Sequence, residues 1–271
     1  MIREAQLRLS RGHSLAAILL TLACATAYTQ TAPAPGSANP TFEVATIKPS
    51  NPDSCCDRTF GREGRHFNSY NTNLKWLVQY SYGLQASQVI GGPPWFDEDR
   101  YDITGTIDGQ YTPTPQQWMT AVQNLLADRF QLKFHHETRE LPAYVLTIAK
   151  GGAKLQRSEA GRPVSLGFGG SPGHTMRATG SNATLEQFLG QLQRLALDRP
   201  IVDRTGLTGA WNIQLSFTRE TPESVGRTEL PDNAAPNLFN ALQQQLGLKL
   251  EPAKTQVDVL VIDRAEKPSQ N

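Results

Sequence analysis

"NTNLKWLVQYSYGL" (Asn71–Leu84) and "NATLEQFLGQLQRL" (Asn182–Leu195) are two versions of one phrase, 111 residues apart. Asn71 meets Asn182, Leu74 meets Leu185 and Leu84 meets Leu195. Each opens on polar, cap-forming residues and continues with apolar residues at helical spacing. These are Leu74, Leu77 and Val78 in the first, and Leu185, Phe188, Leu189 and Leu192 in the second. In the second, Thr184 and Gln187 stand at capping-box separation, where a hydroxyl and an amide each satisfy a backbone N–H left open by the first helical turn.

The match continues in order along the chain. "QVIGGPP" (Gln88–Pro94) faces "RPIVDRTG" (Arg199–Gly206), and "RYDITGTI" (Arg100–Ile107) faces "AWNIQLSF" (Ala210–Phe217), with Asp102 over Asn212. "VQNLLADRFQLKF" (Val122–Phe134) faces "LFNALQQQLGLKL" (Leu238–Leu250), and Val145, Leu146 and Ile148 align with Val259, Leu260 and Ile262. The offsets of 111, 110, 116 and 114 differ only by loop lengths, the pattern a copied unit leaves behind. Each copy is expected to run strand, helix, strand, strand, helix, strand, strand. Helices interleaved with short strands predict an α+β fold, helices packed on antiparallel or mixed sheets. The expected organisation is a first module over 42–157, a glycine-rich linker over 158–173 and a second module over 174–271, with one small sheet per module. "FEVATIKPS" (Phe42–Ser50) adds a strand before the first copy, and "RPVSLGF" (Arg162–Phe168) is its candidate counterpart before the second.

Composition narrows the class. The 271 residues are 38% hydrophobic with a net charge of +1, so nothing resembles the basic footprint of a nucleic-acid binder. The N-terminus has a basic head (Arg3, Arg8, Arg11), a short apolar run "SLAAILLTLACATA" and small residues at Ala25 and Ala27. That is the pattern of a secretory signal peptide over 1–27, too short for a retained transmembrane anchor. Cys24 offers a lipoprotein alternative, against which Thr21 stands where a lipobox prefers leucine. "YTQTAPAPGSANP", within 28–41, reads as a disordered tether. The mature chain is therefore expected outside the cytoplasm, periplasmic or secreted, with no transmembrane segment. There Cys55 and Cys56, adjacent in "NPDSCCDRTF", could close a vicinal disulfide, bond to another chain or stay idle. They lack both the Cys-x-x-Cys spacing of a redox pair and the four ligands of a zinc site.

Residues that could carry function are few. In "VDRTGLTG" (Val202–Gly209), Asp203 and Arg204 lie between strands, where an aspartate ordinarily bonds its own turn and glycines supply positive φ. His135 and His136, neighbours on an expected strand, should point to opposite faces and cannot chelate one metal together. The serines lack a Gly-x-Ser-x-Gly elbow, and "GFGGSPG" (Gly167–Gly173) lacks the Lys-Ser/Thr of a phosphate loop. "GGPPWFDEDRYD" (Gly91–Asp102) departs most from its counterpart, and its Trp95, Phe96 and Arg100 form the candidate binding surface, because aromatic side chains offer large contact area at small entropic cost.

At "FEVATIKPS", "IGGPPWFDEDRYDI", "LLADRFQLKFHHETRELPAYVLTIAKGGAKL" and "PIVDRTGLTGAWNIQLSF" the chain resembles a large family of exported proteins, expanded in acidobacteria, that carries a domain of unknown function. Some of its members are fused to BlaR-type sensor metallopeptidases, which implies extracellular sensing or binding. This chain has no His-Glu-x-x-His, so proteolysis is not carried over. The resulting expectation is a non-enzymatic exported protein that binds an envelope or extracellular protein or a small ligand, without metal or cofactor. The competing expectation is an extracytoplasmic hydrolase built on Asp203 with His135 or His136 where the modules meet.

Overall fold

The computed structural model describes residues 39–51, 58–159, 163–170, 175–218 and 235–268. The expected signal peptide, Cys24, the tether as far as residue 38, Cys55, Cys56 and His174 lie outside them. The strands are β1 (Phe42–Pro49), β2 (Thr59–Glu63), β3 (His66–Thr72), β4 (Val89–Gly91), β5 (Tyr101–Ile107), β6 (Lys133–Ile148), β7 (Gln156–Arg157), β8 (Ser165–Gly169), β9 (Thr175–Thr184), β10 (Ile201–Asp203), β11 (Ala210–Thr218) and β12 (Leu248–Arg264). The helices are α1 (Leu74–Tyr82), α2 (Trp95–Glu98), α3 (Pro115–Arg129), α4 (Leu185–Ala196) and α5 (Leu238–Ala241), the last running into a π-helical turn over Leu242–Leu246. They form three four-stranded sheets, two antiparallel and one of mixed pairing, an α+β fold.

Local chemistry sets the helix starts. Thr184 accepts from the Gln187 N–H at 3.2 Å while the Gln187 side chain accepts from the Thr184 N–H at 3.0 Å, the capping box expected from the sequence. Thr114 and Gln117 repeat it at the start of α3, with Pro115 at the first helical position, where its missing N–H costs nothing. At α1 the cap is Asn73, which accepts from the Trp76 N–H at 2.9 Å.

Two lateral sheets share one plan. The first has the order β1-β5-β3-β2 and the second β7-β11-β9-β8. In both, the strand before the helix carries a left-handed asparagine, Asn71 with φ 52° and Asn182 with φ 49°. The backbone N–H of each bonds a side chain on the neighbouring strand, Asp102 at 2.9 Å and Asn212 at 3.3 Å. One face of each sheet is apolar and covered by helices, and the other is polar, as antiparallel sheets allow. On the second sheet that polar face presents Arg177, Thr179, Ser181 and Gln214.

The middle sheet joins the two stretches. Its order is β10-β6-β12-β4, with β6 and β12 antiparallel at the centre. Leu146 pairs with Leu250, and His136 with Leu260, so the ladder maps onto itself under the 114-residue offset. Its midpoint is Leu141 opposite Thr255. The edge strands are exchanged: β10 runs parallel to β6, and β4 parallel to β12. The expectation of one sheet per module thus gives way to three sheets, the middle one common to both stretches.

Two further expectations are corrected. The segments read as separate strands, "FQLKF" and "AYVLTIAK", form the single 16-residue strand β6, and β12 is likewise continuous over 17 residues. Pro142 and Pro252 suggest breaks, yet each nitrogen faces an edge unpaired among the described residues. Tyr144 N–H bonds Pro200 O on that outer side, and Pro142 lies two residues earlier on the same side. A proline there forfeits no ladder bond. Within the expected linker, β8 pairs with β9 and takes the place held by β2 in the first sheet, so "RPVSLGF" is not the counterpart of β1.

The core divides in two. The first cluster joins Phe67, Leu77, Ile103, Leu126 and Phe130 with Leu260 and Ile262 from β12. The second joins Phe188, Leu192, Ile213, Phe217 and Leu242 with Leu146 from β6. Each cluster therefore takes buried leucine from a strand belonging to the other stretch. A partly buried glutamine network adds polar links: Gln85 Nε2 donates to Gln193 O at 2.7 Å, and Gln193 Oε1 accepts from the Ile201 N–H at 2.7 Å.

Candidate ligand-binding site

Asp203 and Arg204 sit just where β10 ends. The Asp203 carboxylate accepts from the Thr205 N–H at 2.8 Å, and Thr205 Oγ1 accepts from the Leu207 N–H at 3.2 Å, two successive side-chain-closed turns. Arg204 donates from its backbone to Leu146 O at 2.9 Å and from Nη2 to Thr255 Oγ1 at 2.7 Å. Gly206 and Gly209 supply positive φ. These bonds tie the turn to the middle sheet.

The histidines lie elsewhere. Asp203 is opposite Leu146, eleven residues along β6 from His135. At roughly 3.3 Å per strand residue, that is a separation of about 36 Å. The two groups that the hydrolase expectation combined are therefore not brought together. His135 is clamped between Asp263 at 2.8 Å and Glu137 at 3.0 Å, whereas His136 bonds Asp258 at 2.8 Å, all exposed. Hydrogen bonds from Glu137 and then Asp263 raise the His135 pKa, and the same contact lowers that of Glu137. Among the described residues no three His, Cys, Asp or Glu side chains gather as a metal set.

The aromatic loop folds as α2. Phe96 is only 2% exposed and belongs to the first core cluster, so it is not offered to a partner. Gly92, at φ 94°, lies against its ring, where a Cβ would crowd the Phe96 ring at 3.2 Å. Trp95 is half-buried, with Lys267 Nζ 5.7 Å from its ring centre. Arg100 is exposed and lines a cleft of about 600 Å³ at the end of the first sheet, together with Ser50, Asn71, Asp99, Tyr101 and Lys267. Asp99 anchors one side, accepting from Lys267 Nζ at 2.7 Å and from the Tyr101 hydroxyl at 3.4 Å. Tyr101 is 4% exposed. Desolvation, with Asp99 beside it, pushes its pKa up to about 12. Ser50 donates to Asp102 at 2.6 Å. The Arg100 side chain has no carboxylate partner among the described residues.

A second cluster carries no motif. Along α1, Trp76 and the buried Tyr80 stack at 5.6 Å with an interplanar angle of 11°, and Phe60 from β2 packs against both. Arg58 lies 4.4 Å from the Trp76 ring centre. Arg62 donates to the Tyr80 hydroxyl at 3.4 Å, and Arg194 from α4 lies 5.9 Å from the Tyr80 ring centre. Burial raises the Tyr80 pKa against the pull of Arg62 and Arg194. Desolvation, and after it Arg62, lowers that of Arg194, while Tyr80 opposes them. The sequence signal for half of this cluster was the alternation Arg58, Phe60, Arg62, which places Phe60 and Arg62 on one side of β2 with Arg58 immediately before it. Arg194 comes from the other stretch and had no local signal.

Comparison with known proteins is sparse. No curated protein and no solved structure matches the chain. Residues 75–265 match a family model described as a protein of unknown function, and on that match the chain belongs to the DUF3738 family.

Proposed function

We propose that the protein is an exported, non-enzymatic binding protein that receives an envelope or extracellular ligand at the cleft beside α2. The observation that carries this reading is Arg100. It lines a cleft of about 600 Å³ as an exposed cation without a carboxylate partner among the described residues. The acids and histidines that a hydrolytic mechanism would need are committed to turns or to one another on exposed surface. General acid–base catalysis requires such groups within hydrogen-bond reach of one substrate, and Asp203 and His135 fail that requirement by tens of ångströms. Two paired stretches with matching asparagine turns and a self-mapping central ladder support descent from one copied unit. A copied scaffold leaves its most divergent stretch, Gly91–Asp102, as the place where the two halves have diverged toward recognition.

The test is site-specific photocrosslinking in intact cells. A photoreactive residue replacing Glu98, on the rim of the cleft with Arg100 left intact, gives a discrete adduct with an envelope component, at least fivefold stronger than the same residue replacing Lys254. Equal labelling at both positions, or adducts confined to the cytoplasmic fraction, overturns the proposal.

A further inference from the structure

We infer that Arg58, Arg62 and Arg194, held on the Trp76–Tyr80–Phe60 platform, form a binding site for an oxyanion, a carboxylate- or phosphate-bearing ligand. This site is separate from the cleft beside α2 and does not depend on it.

Three observations combine. First, no carboxylate pairs with any of the three guanidinium groups among the described residues, although the described chain forms ten other ion pairs. Elsewhere Arg139 and Arg264 take a glutamate two residues away, so guanidinium–carboxylate pairing is readily made in this fold. Second, two of the cations converge on one residue from different elements. Arg62 comes from β2 and Arg194 from the C-terminal turn of α4, and both meet Tyr80. Like charges drawn together without a counter-ion repel, and partial desolvation strengthens that repulsion. An oxyanion between them removes it. Third, the platform is rigid. Tyr80 is 3% exposed, and Trp76, Phe60 and Tyr80 are in mutual ring contact, so the guanidinium groups lie against aromatic rings, Arg58 over Trp76, Arg62 over Phe60 and Arg194 over Tyr80. Planar guanidinium forks match the two oxygens of a carboxylate or phosphate, and prior immobilisation lowers the entropy lost on binding.

Isothermal titration of the purified full chain with citrate and, separately, with inorganic triphosphate tests the site at low salt. At least one of the two binds, and R62Q/R194Q weakens it tenfold or more. R177Q, an arginine on the polar face of β9, changes it less than twofold. R62K/R194K restores part of the loss, because lysine keeps the charge but not the fork. Citrate binding alone assigns a carboxylate ligand, and triphosphate binding alone a phosphate ligand. R100Q separates this proposal from the previous one: it abolishes the α2 cleft adduct but leaves most of the anion binding. Should the double variant fail to fold, R62Q alone, an exposed residue with one weak bond to Tyr80, carries the comparison. Absence of binding by either anion, or binding indifferent to R62Q and R62Q/R194Q, overturns the inference.

Discussion

His135 illustrates how a single side chain on this surface is tuned. Both ring nitrogens face carboxylates, Asp263 at 2.8 Å and Glu137 at 3.0 Å, an arrangement that favours the doubly protonated ring. Its pKa is raised above the ordinary histidine value. A raised folded-state value means that the clamp's contribution to stability is fully present below the unfolded value of about 6.5 and is lost as pH rises through the folded value. In an NMR titration the His135 ring therefore titrates above pH 6.5, and Glu137→Gln, which removes the larger cause, moves the midpoint back toward it. A midpoint at or below 6.5 in the unaltered protein contradicts the clamp. At the same scale, Asp203 was legible: its type and glycine neighbours predicted a self-closed turn, and its carboxylate bonds Thr205 N–H. Phe96 was not, because adjacency to Trp95 says nothing about which ring turns inward.

Helix starts are decided over four residues, and so could be read in advance. The Thr184–Gln187 box satisfies two backbone N–H groups at the head of α4, the helix that delivers both Arg194 and the buried Gln193. Thr184→Ala removes one cap, for which about 1 kcal/mol is the usual cost. In a domain of this size that corresponds to a fall in Tm of roughly 2–4 °C, measured by calorimetry. Thr114→Ala should match it, since α3 starts with the same box. An unchanged melting temperature in both variants would show that packing alone sets these helix starts. Strand lengths were less legible. Pro142 and Pro252 look like ends of strands, and only the knowledge that each nitrogen meets an unpaired edge makes β6 and β12 continuous.

For the whole molecule, strand exchange has a direct consequence. The stretch through residue 159 contributes β6 but receives β12 as its partner, and its core uses Leu260 and Ile262. Burying a leucine or isoleucine side chain contributes on the order of 1.5–3 kcal/mol, comparable in sum with the total stability of a small domain. A fragment of residues 39–159 therefore does not fold alone, and its proton–nitrogen correlation spectrum collapses to the narrow dispersion of an unfolded chain. Adding residues 163–268 as a separate polypeptide restores the dispersion. A fragment that gives a dispersed spectrum by itself rules out the shared middle sheet as a condition of folding.

The α+β class, the helix caps and the Asp203 turn were determined by the sequence alone, because periodicity, capping and turn chemistry act over a few neighbouring residues. The tertiary structure decided the exchanged strands, the burial of Phe96, the separation of Asp203 from His135, and the meeting of Arg62 with Arg194. Each depends on which distant segments share a sheet or a helix face. Such contacts are selected by burial of the whole apolar surface at once, so no local pattern encodes them.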